Sequence, residues 1–282
     1  HFSGISPQAY PKPWYTRSNM GGWFGSELKY AGYDGIILNG KSRRPTYLWI
    51  HNGSVDFLNA SEIWGRDTFS TQKYLLQNHS RYAKIACIGP AGENKVRLAV
   101  VQSETENAAG QGGFGAVMGA KNVKAIVVRG NGTVTIARPK EFYELCLAID
   151  KDFQVAGPSE HPRPSMDPQL VRLYGVRGTA CSHACPWRCG VIWRNVPGKA
   201  CPGVNTTMVH CVAGVFAGRS RFYDWNLGPE GGVEVASMAN KLGVNHWSLA
   251  LGLVPWLREC KEKGVIKDLD GTSIDLGKPE FW

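Results

Sequence analysis

No stretch of the 282 residues is long and apolar enough for a membrane-spanning helix, so the sequence reads as soluble, with no membrane span. There is no long Lys/Arg run of the kind that tracks a phosphate backbone. The 32 basic and 23 acidic residues leave a net charge of +9, but it is scattered, and Lys41, Arg43 and Arg44 form the nearest cluster. That pattern argues against nucleic acid and suits a small, highly anionic ligand. Internal repeats and low-complexity tracts are also absent. The 43% hydrophobic and 11% aromatic content is that of a globular protein with a sizeable core. The chain starts at His1, and its last stretch, Asp268 to Trp282, carries no terminal feature. It is therefore expected to be a processed product or part of something longer.

Evenly spread cysteines are lacking too. Of the eight, at 87, 146, 181, 185, 189, 201, 211 and 260, five fall within 181–211. Such crowding in a large chain reads as a metal site in a reducing compartment, here the cytoplasm, rather than as a disulfide framework.

Along the chain, Pro7, Pro11 and Pro13 break any period before residue 20. Trp23 to Ala31 suits a short helix. Apolar runs at 34–38, 46–50 and 55–58 suit strands, with Asn52-Gly53 as a hairpin turn. Asp67 caps a helix expected to run to Asn78. Strands are expected at 83–88, 96–101, 124–129 and 134–136, with turns at Pro90-Ala-Gly and Asn131-Gly132. From Pro139 the pattern becomes helical, at 140–153, 228–242 and 246–263. Gly243 is placed to end the second of these. The expected architecture is α+β, with a strand-rich domain over 1–136 and a mainly helical domain over 137–282.

Three segments carry chemistry. In Cys181-Ser-His-Ala-Cys185-Pro-Trp-Arg-Cys189, three thiols lie within nine residues and can meet at one metal centre. Iron–sulfur, zinc and unligated structural cysteines all remain open from spacing alone. In Asn107 to Lys121, five glycines between 110 and 119 let the backbone approach a ligand closely and free amide groups for phosphate oxygens. A glycine-rich turn at a sheet edge is the equal alternative. Asn19-Met-Gly21-Gly22-Trp-Phe-Gly25 is a second loop of small residues ahead of a helix. Cys211, beside His210 and before an apolar run, reads by itself as an ordinary buried thiol.

Taken together, Gly21 to Asp34, Ile88-Gly-Pro-Ala-Gly-Glu-Asn94, Gly112 to Lys121, the cysteine run, Leu242-Gly-Val-Asn245 and Lys263 to Asp268 resemble the aldehyde ferredoxin oxidoreductase family. That resemblance implies a tungsten (or molybdenum) bis-pterin, a [4Fe–4S] cluster and a magnesium ion bridging the pterin phosphates. It implies a strand-rich domain supporting the pterin, helical domains covering it and a C-terminal domain absent from this chain. Asn19 and the carbonyl of Ala108 fall where the family holds the magnesium. Gly21, Gly22, Asn107, Ala109, Gly110, Gly112, Gly113 and Asn245 fall where it lines the pterin. Cys181, Cys185 and Cys189 match its three clustered cluster ligands, with the fourth beyond residue 282.

The match has departures. The first cysteine gap is one residue longer than usual, and the arginines usual in the glycine-rich loop are replaced by Asn107 and Gln111. Asn245 stands where aspartate is usual. The stretch Asn205 to Cys211 looks more like the tungsten subunit of ATP-independent benzoyl-CoA reductases, which implies Cys211 as a tungsten ligand. The resemblance thus implies reduction of an aromatic or related acyl-CoA thioester. His183 and His210 are the candidate proton donors, a neutral histidine satisfied by a backbone group being the alternative role for either. Aldehyde oxidation with ferredoxin as acceptor, or a non-catalytic electron-transfer or scaffold homologue, are the alternatives. An iron–sulfur electron-transfer subunit or ferredoxin is the expected partner, within an oligomer or larger complex.

Overall fold

The computed structural model describes residues 1–105, 107–156, 172–183, 185, 190–209, 216 and 227–282. Its first half is built on a six-stranded mixed sheet of β3 (Thr46–His51), β4 (Ser54–Asn59), β5 (Lys84–Cys87), β6 (Val101–Ser103), β7 (Asn107–Ala109) and β8 (Val123–Arg129), in the order β4-β3-β8-β5-β6-β7. Only β3 and β8 run parallel; every other pair is antiparallel. A separate hairpin, β1 (Phe2–Ile5) with β2 (Tyr15–Ser18), precedes it.

The central strands bury both faces, and the alternation along them assigns each residue to a side. On one side, Leu48, Ile50, Ala86, Ile126 and Val128 pack under helices α1 (Phe24–Tyr30) and α4 (Phe114–Ala120), through Phe24, Leu28, Phe114 and Met118. On the other, Tyr47, Ile85, Cys87, Ala125 and Val127 pack under Leu75 of α2 (Thr68–Asn78). Each fully buried aliphatic side chain contributes about 1.5–3 kcal/mol by leaving water. Asp67 caps α2 as expected, its Oδ1 accepting from the amides of Phe69 (2.8 Å) and Ser70 (2.9 Å). The hairpin turn at Asn52-Gly53 is also as expected, with left-handed φ of 44° and 85°.

Two expected strands did not form, and a third is shifted. Residues 34–38 run as an irregular segment: Ile37 is 96% exposed, while Ile36 and Leu38 turn inward. They wall a cavity of about 420 Å³ between β1, α1 and α4, so the apolar alternation is used without a ladder partner. Residues 134–136 are exposed coil. The strand expected from 96 begins only at Val101, and Pro90–Glu93 forms a one-turn helix, α3, where a turn was expected.

Residues 98–100 instead serve the joint with the second half. Val100 N–H donates to Gly243 O, and Asn245 N–H to Leu98 O, both at 2.9 Å. The joint is tight at Gly89, where a Cβ would lie 2.4 Å from the carbonyl oxygen of Leu242.

The second half carries the expected helices α5 (Pro139–Ala156), α6 (Gly228–Leu242) and a final helix from His246 to Glu262 that contains a π-helical turn at Leu249–Leu253. Gly243 ends α6 at φ 77°. Beside these helices the half carries strands that the sequence pattern did not signal. A three-stranded antiparallel sheet of β9 (Gly175–Thr179), β10 (Gly190–Pro197) and β11 (Val204–Val209) lies against α6, with Trp193 and Val196 buried on Val233. The Pro, Gly and Cys residues between these strands mask their alternation in the sequence. Among the described residues, no helix is long and apolar enough to cross a membrane.

Candidate functional site

The glycine-rich stretch begins as β7, the last strand of the sheet, and so does lie at a sheet edge. It then turns through Gly110 to Gly113 into α4. Gly112 and Gly113 have φ of 77° and 67°, the left-handed region where a side chain is strained. The β1–β2 hairpin holds this turn. Ser6 Oγ donates to Gly112 O (3.0 Å), Gly112 N–H to Gln8 Oε1 (3.2 Å) and Gln111 N–H to Ser18 Oγ (3.0 Å). Asn19, exposed, follows Ser18 directly, so the asparagine loop and the glycine loop are fastened side by side.

The cysteine segment seats on the loop next to Asn19. Gly22 N–H donates to Cys181 O at 2.6 Å, and Gly22 and Ser182 form a parallel bridge. A Cβ on Gly21 would lie 2.3 Å from Cys181 O and 2.7 Å from Asn107 Oδ1, so only glycine admits this approach. Cys181 and Cys185 are half-buried and neither is in a disulfide. Cys185 N–H reaches Ser182 O at 3.4 Å, folding the segment into one turn. His183 is exposed, edge-on to Tyr30 at 6.5 Å between ring centres.

From the far side Asn245, buried at the end of α6, donates its side-chain amide to Gly110 O. Its Oδ1 accepts from Ser248 N–H at 2.7 Å and caps the final helix. A Cβ on Gly110 would lie 2.9 Å from Asn245 Nδ2.

Three loops far apart in sequence, 19–22, 107–113 and 243–245, thus meet around the half-buried Ala108 and the buried Ala109, with two cysteines beside them. Cys189, His210 and Cys211 lie outside the described residues. Among the described residues, no three His, Cys, Asp or Glu side chains are grouped for a metal ion. Sequence reading missed Ser6, Gln8 and Ser18, which belong to no motif, and the 98–100 segment, whose apolar character reads as strand.

Residues 1–130, which contain the sheet and both glycine loops, match the N-terminal domain of aldehyde ferredoxin oxidoreductases. Those 130 residues belong to that domain family, and the chain as a whole resembles its members. It is 34% identical to the tungsten-containing aldehyde ferredoxin oxidoreductase of Pyrococcus abyssi over 278 residues, covering 90% of this chain and 46% of the relative. It is 43% identical to the enzyme of the same name from Thermococcus kodakarensis over 209 residues, 62% of this chain and 34% of the relative. In structure it resembles the active site complex BamBC of benzoyl-coenzyme A reductase in complex with 1,5-dienoyl-CoA, with a TM-score of 0.81 and 27% identity over 99% of this chain and 47% of that one. The chain therefore spans about half the length of the relatives it matches.

Proposed function

We propose that this chain is the pterin-supporting and cluster-bearing part of a tungsten (or molybdenum) bis-pterin oxidoreductase that reduces an aromatic or related acyl-CoA thioester with low-potential electrons. The observation that carries the reading is the seating of Cys181 on the Gly21–Gly22 loop, with Asn245 closing on Gly110 from the other side. Two cysteines outside any disulfide are thereby set beside a loop cradle.

The residues fit the groups. Cys181, Cys185 and Cys189 would hold the [4Fe–4S] cluster, whose iron takes thiolates. Asn19 and the carbonyl of Ala108 would hold magnesium, an oxygen-seeking ion. The backbone of Gly21, Gly22, Ala109 and Gly110 would line the pterin, with Gly112 and Gly113 fixing the turn behind it. When bound, the metal–pterin group supplies the low-potential electron chemistry; the protein supplies position, dryness and protons. Cys211 is the proposed tungsten ligand, as a soft thiolate suits such a metal. His210 and the exposed His183 are the proposed proton donors. An iron–sulfur electron-transfer subunit or ferredoxin would deliver electrons, in a cytoplasmic complex.

A second reading is oxidation of an aldehyde to its acid. It is favoured by the relatives named aldehyde ferredoxin oxidoreductase, whose identities of 34% and 43% exceed the 27% to the benzoyl-CoA reductase complex. Assaying the full-length enzyme on a panel of aldehydes and acyl-CoA thioesters separates the two. Elemental analysis comes first: tungsten or molybdenum with iron is expected. Iron alone would point to a non-catalytic homologue, and zinc alone would remove the cluster reading. Cys211→Ala should lose tungsten; unchanged metal and activity would remove that ligand from the proposal.

A further inference from the structure

We infer that Asn107 and Glu104 form a strut that seats the Cys181 segment on the Gly21–Gly22 loop, making Asn107 a positioning residue rather than a cofactor contact. The consequence for metal rests on the cluster reading proposed above; the strut itself rests on geometry.

Asn107 opens β7 and is buried. Its Nδ2 donates to Glu104 Oε2 at 3.0 Å. Its Oδ1 would lie 2.7 Å from a Cβ on Gly21, and its Nδ2 3.2 Å from a Cβ on Gly22. The amide of Asn107 and the carbonyl of Cys181 thus both lie against the Gly21–Gly22 backbone, and the two glycines leave the room for it.

Glu104 anchors the other end. It sits in the β6–β7 turn with a left-handed φ of 55°, and Gln72 Nε2 donates to its carbonyl at 2.9 Å. Its Oε1 is 3.4 Å from Lys84 Nζ, and that ammonium lies 5.5 Å from the ring centre of Trp23, the residue after Gly22. The circuit from Glu104 through Asn107, Gly21–Gly22, Trp23 and Lys84 returns to Glu104. Burial pushes the Glu104 carboxyl up, while Lys84 and the Asn107 amide pull it back. A half-buried carboxylate already paired with lysine accepts a neutral amide donor without a second cation. This accounts for asparagine at a position that the family resemblance gives to arginine. The Asn107 amide nitrogen is engaged by Glu104, which leaves the phosphate-pairing role unfilled at this residue.

The seating of the Cys181 segment governs how much water and how many amide donors reach the sulfurs of a cluster there, the two properties that tune its potential and lability. The test uses the full-length protein, purified anaerobically, with two readouts. Hydrogen exchange of the Gly22 amide reports the bond to Cys181 whether or not metal is present, and iron release to a chelator reports the cluster. Asn107→Ala should speed both about tenfold, the effect of losing one buried hydrogen bond. Glu104→Ala should follow it, and Glu104→Gln, which keeps an acceptor oxygen, should stay near the wild type. Unchanged Gly22 exchange in Asn107→Ala overturns the strut. So does loss of bound pterin with Gly22 exchange unchanged, which would make Asn107 a cofactor contact. Should Asn107→Ala fail to fold, Glu104→Ala decides by the same criterion. A wild-type protein without iron would sink the cluster reading, and Gly22 exchange would still decide the strut.

Discussion

Glu234 is buried on α6, and its carboxylate accepts three backbone amides of the β10–β11 turn: Lys199 N–H at 2.7 Å, Ala200 N–H at 3.0 Å and Cys201 N–H at 2.8 Å. Gly198 closes the turn, because a Cβ there would lie 1.9 Å from Cys201 O. Glu234→Ala removes the acceptor from three amides at once and leaves a cavity where water competes poorly. Hydrogen bonds to a charged group are worth about 1.5–3 kcal/mol each. Three that share one carboxylate do not add, so the expected loss is about 3–5 kcal/mol. With a urea dependence of about 3 kcal/mol per molar, the unfolding midpoint should fall by about 1–1.7 M. Glu234→Gln keeps one acceptor oxygen and should lose about half of that. Equilibrium urea unfolding of the full-length protein, followed by circular dichroism, measures both. The turn leads into β11, which runs on toward His210 and Cys211, so Glu234→Ala should also lower tungsten content. A Glu234→Ala midpoint shift worth less than about 0.5 kcal/mol, the scale of a surface change, would refute the assignment of the turn's stability to this carboxylate.

Further outcomes are expected elsewhere. Lys124, with no exposed side-chain surface, pairs with the buried Glu93 and donates to Arg66 O at 2.8 Å. Lys124→Ala should destabilise by about 3–5 kcal/mol, whereas Lys124→Met with Glu93→Leu should recover most of it, as measured by thermal unfolding. Burial pushes the Cys87 thiol up to about 12, against a slight pull from Lys124. Its contribution to stability should be complete below the unfolded thiol's pKa near 9.0 and decline as pH rises toward 12. Iodoacetamide at pH 8 should label the exposed Cys146 and Cys201 and spare Cys87, read by peptide mass mapping. Asn245→Asp, which restores the residue usual in the family, would turn a carboxylate onto the carbonyl of Gly110. It should cost about 1–3 kcal/mol and reduce pterin content, seen by fluorescence of the oxidised pterin. Undiminished pterin would count against the Asn245–Gly110 contact.

Much of the first half was legible as sequence because each signal there is local. Asp67 followed by an apolar period, Asn52-Gly53 between two runs, and Gly243 after Leu242 state their conformations through the chemistry of neighbouring residues. The failures share one cause. Residues 34–38 and 96–100 have strand-like apolar patterns, but their apolar side chains and backbone groups are claimed by contacts distant in sequence, a cavity wall in one case and the 243–245 loop in the other. The β9–β11 sheet was missed because its strands are separated by Cys-, Pro- and Gly-bearing stretches that carry no alternation. Of the site, the motifs were readable as glycine loops and a cysteine run. The hydrogen bonds that fasten them, from Ser6, Gln8, Ser18 and Glu104, were not, since such residues are ordinary surface polar groups until the fold brings them to a partner.

By itself, the sequence determined the likeness of the chain to a family, the period of the helices and strands that form the sheet and its two covers, and the residue types able to bind phosphate-bearing and thiophilic groups. Those follow from propensity, patterning and side-chain chemistry, which act within a few residues. Only the tertiary structure decided that the Cys181 carbonyl rests on the amide of Gly22, that Asn245 closes on Gly110, and that Asn107 is engaged by Glu104. These are contacts between segments separated by up to 159 residues, or held in a turn with left-handed backbone, and they exist because two buried halves must satisfy each other's backbone donors and acceptors where they meet.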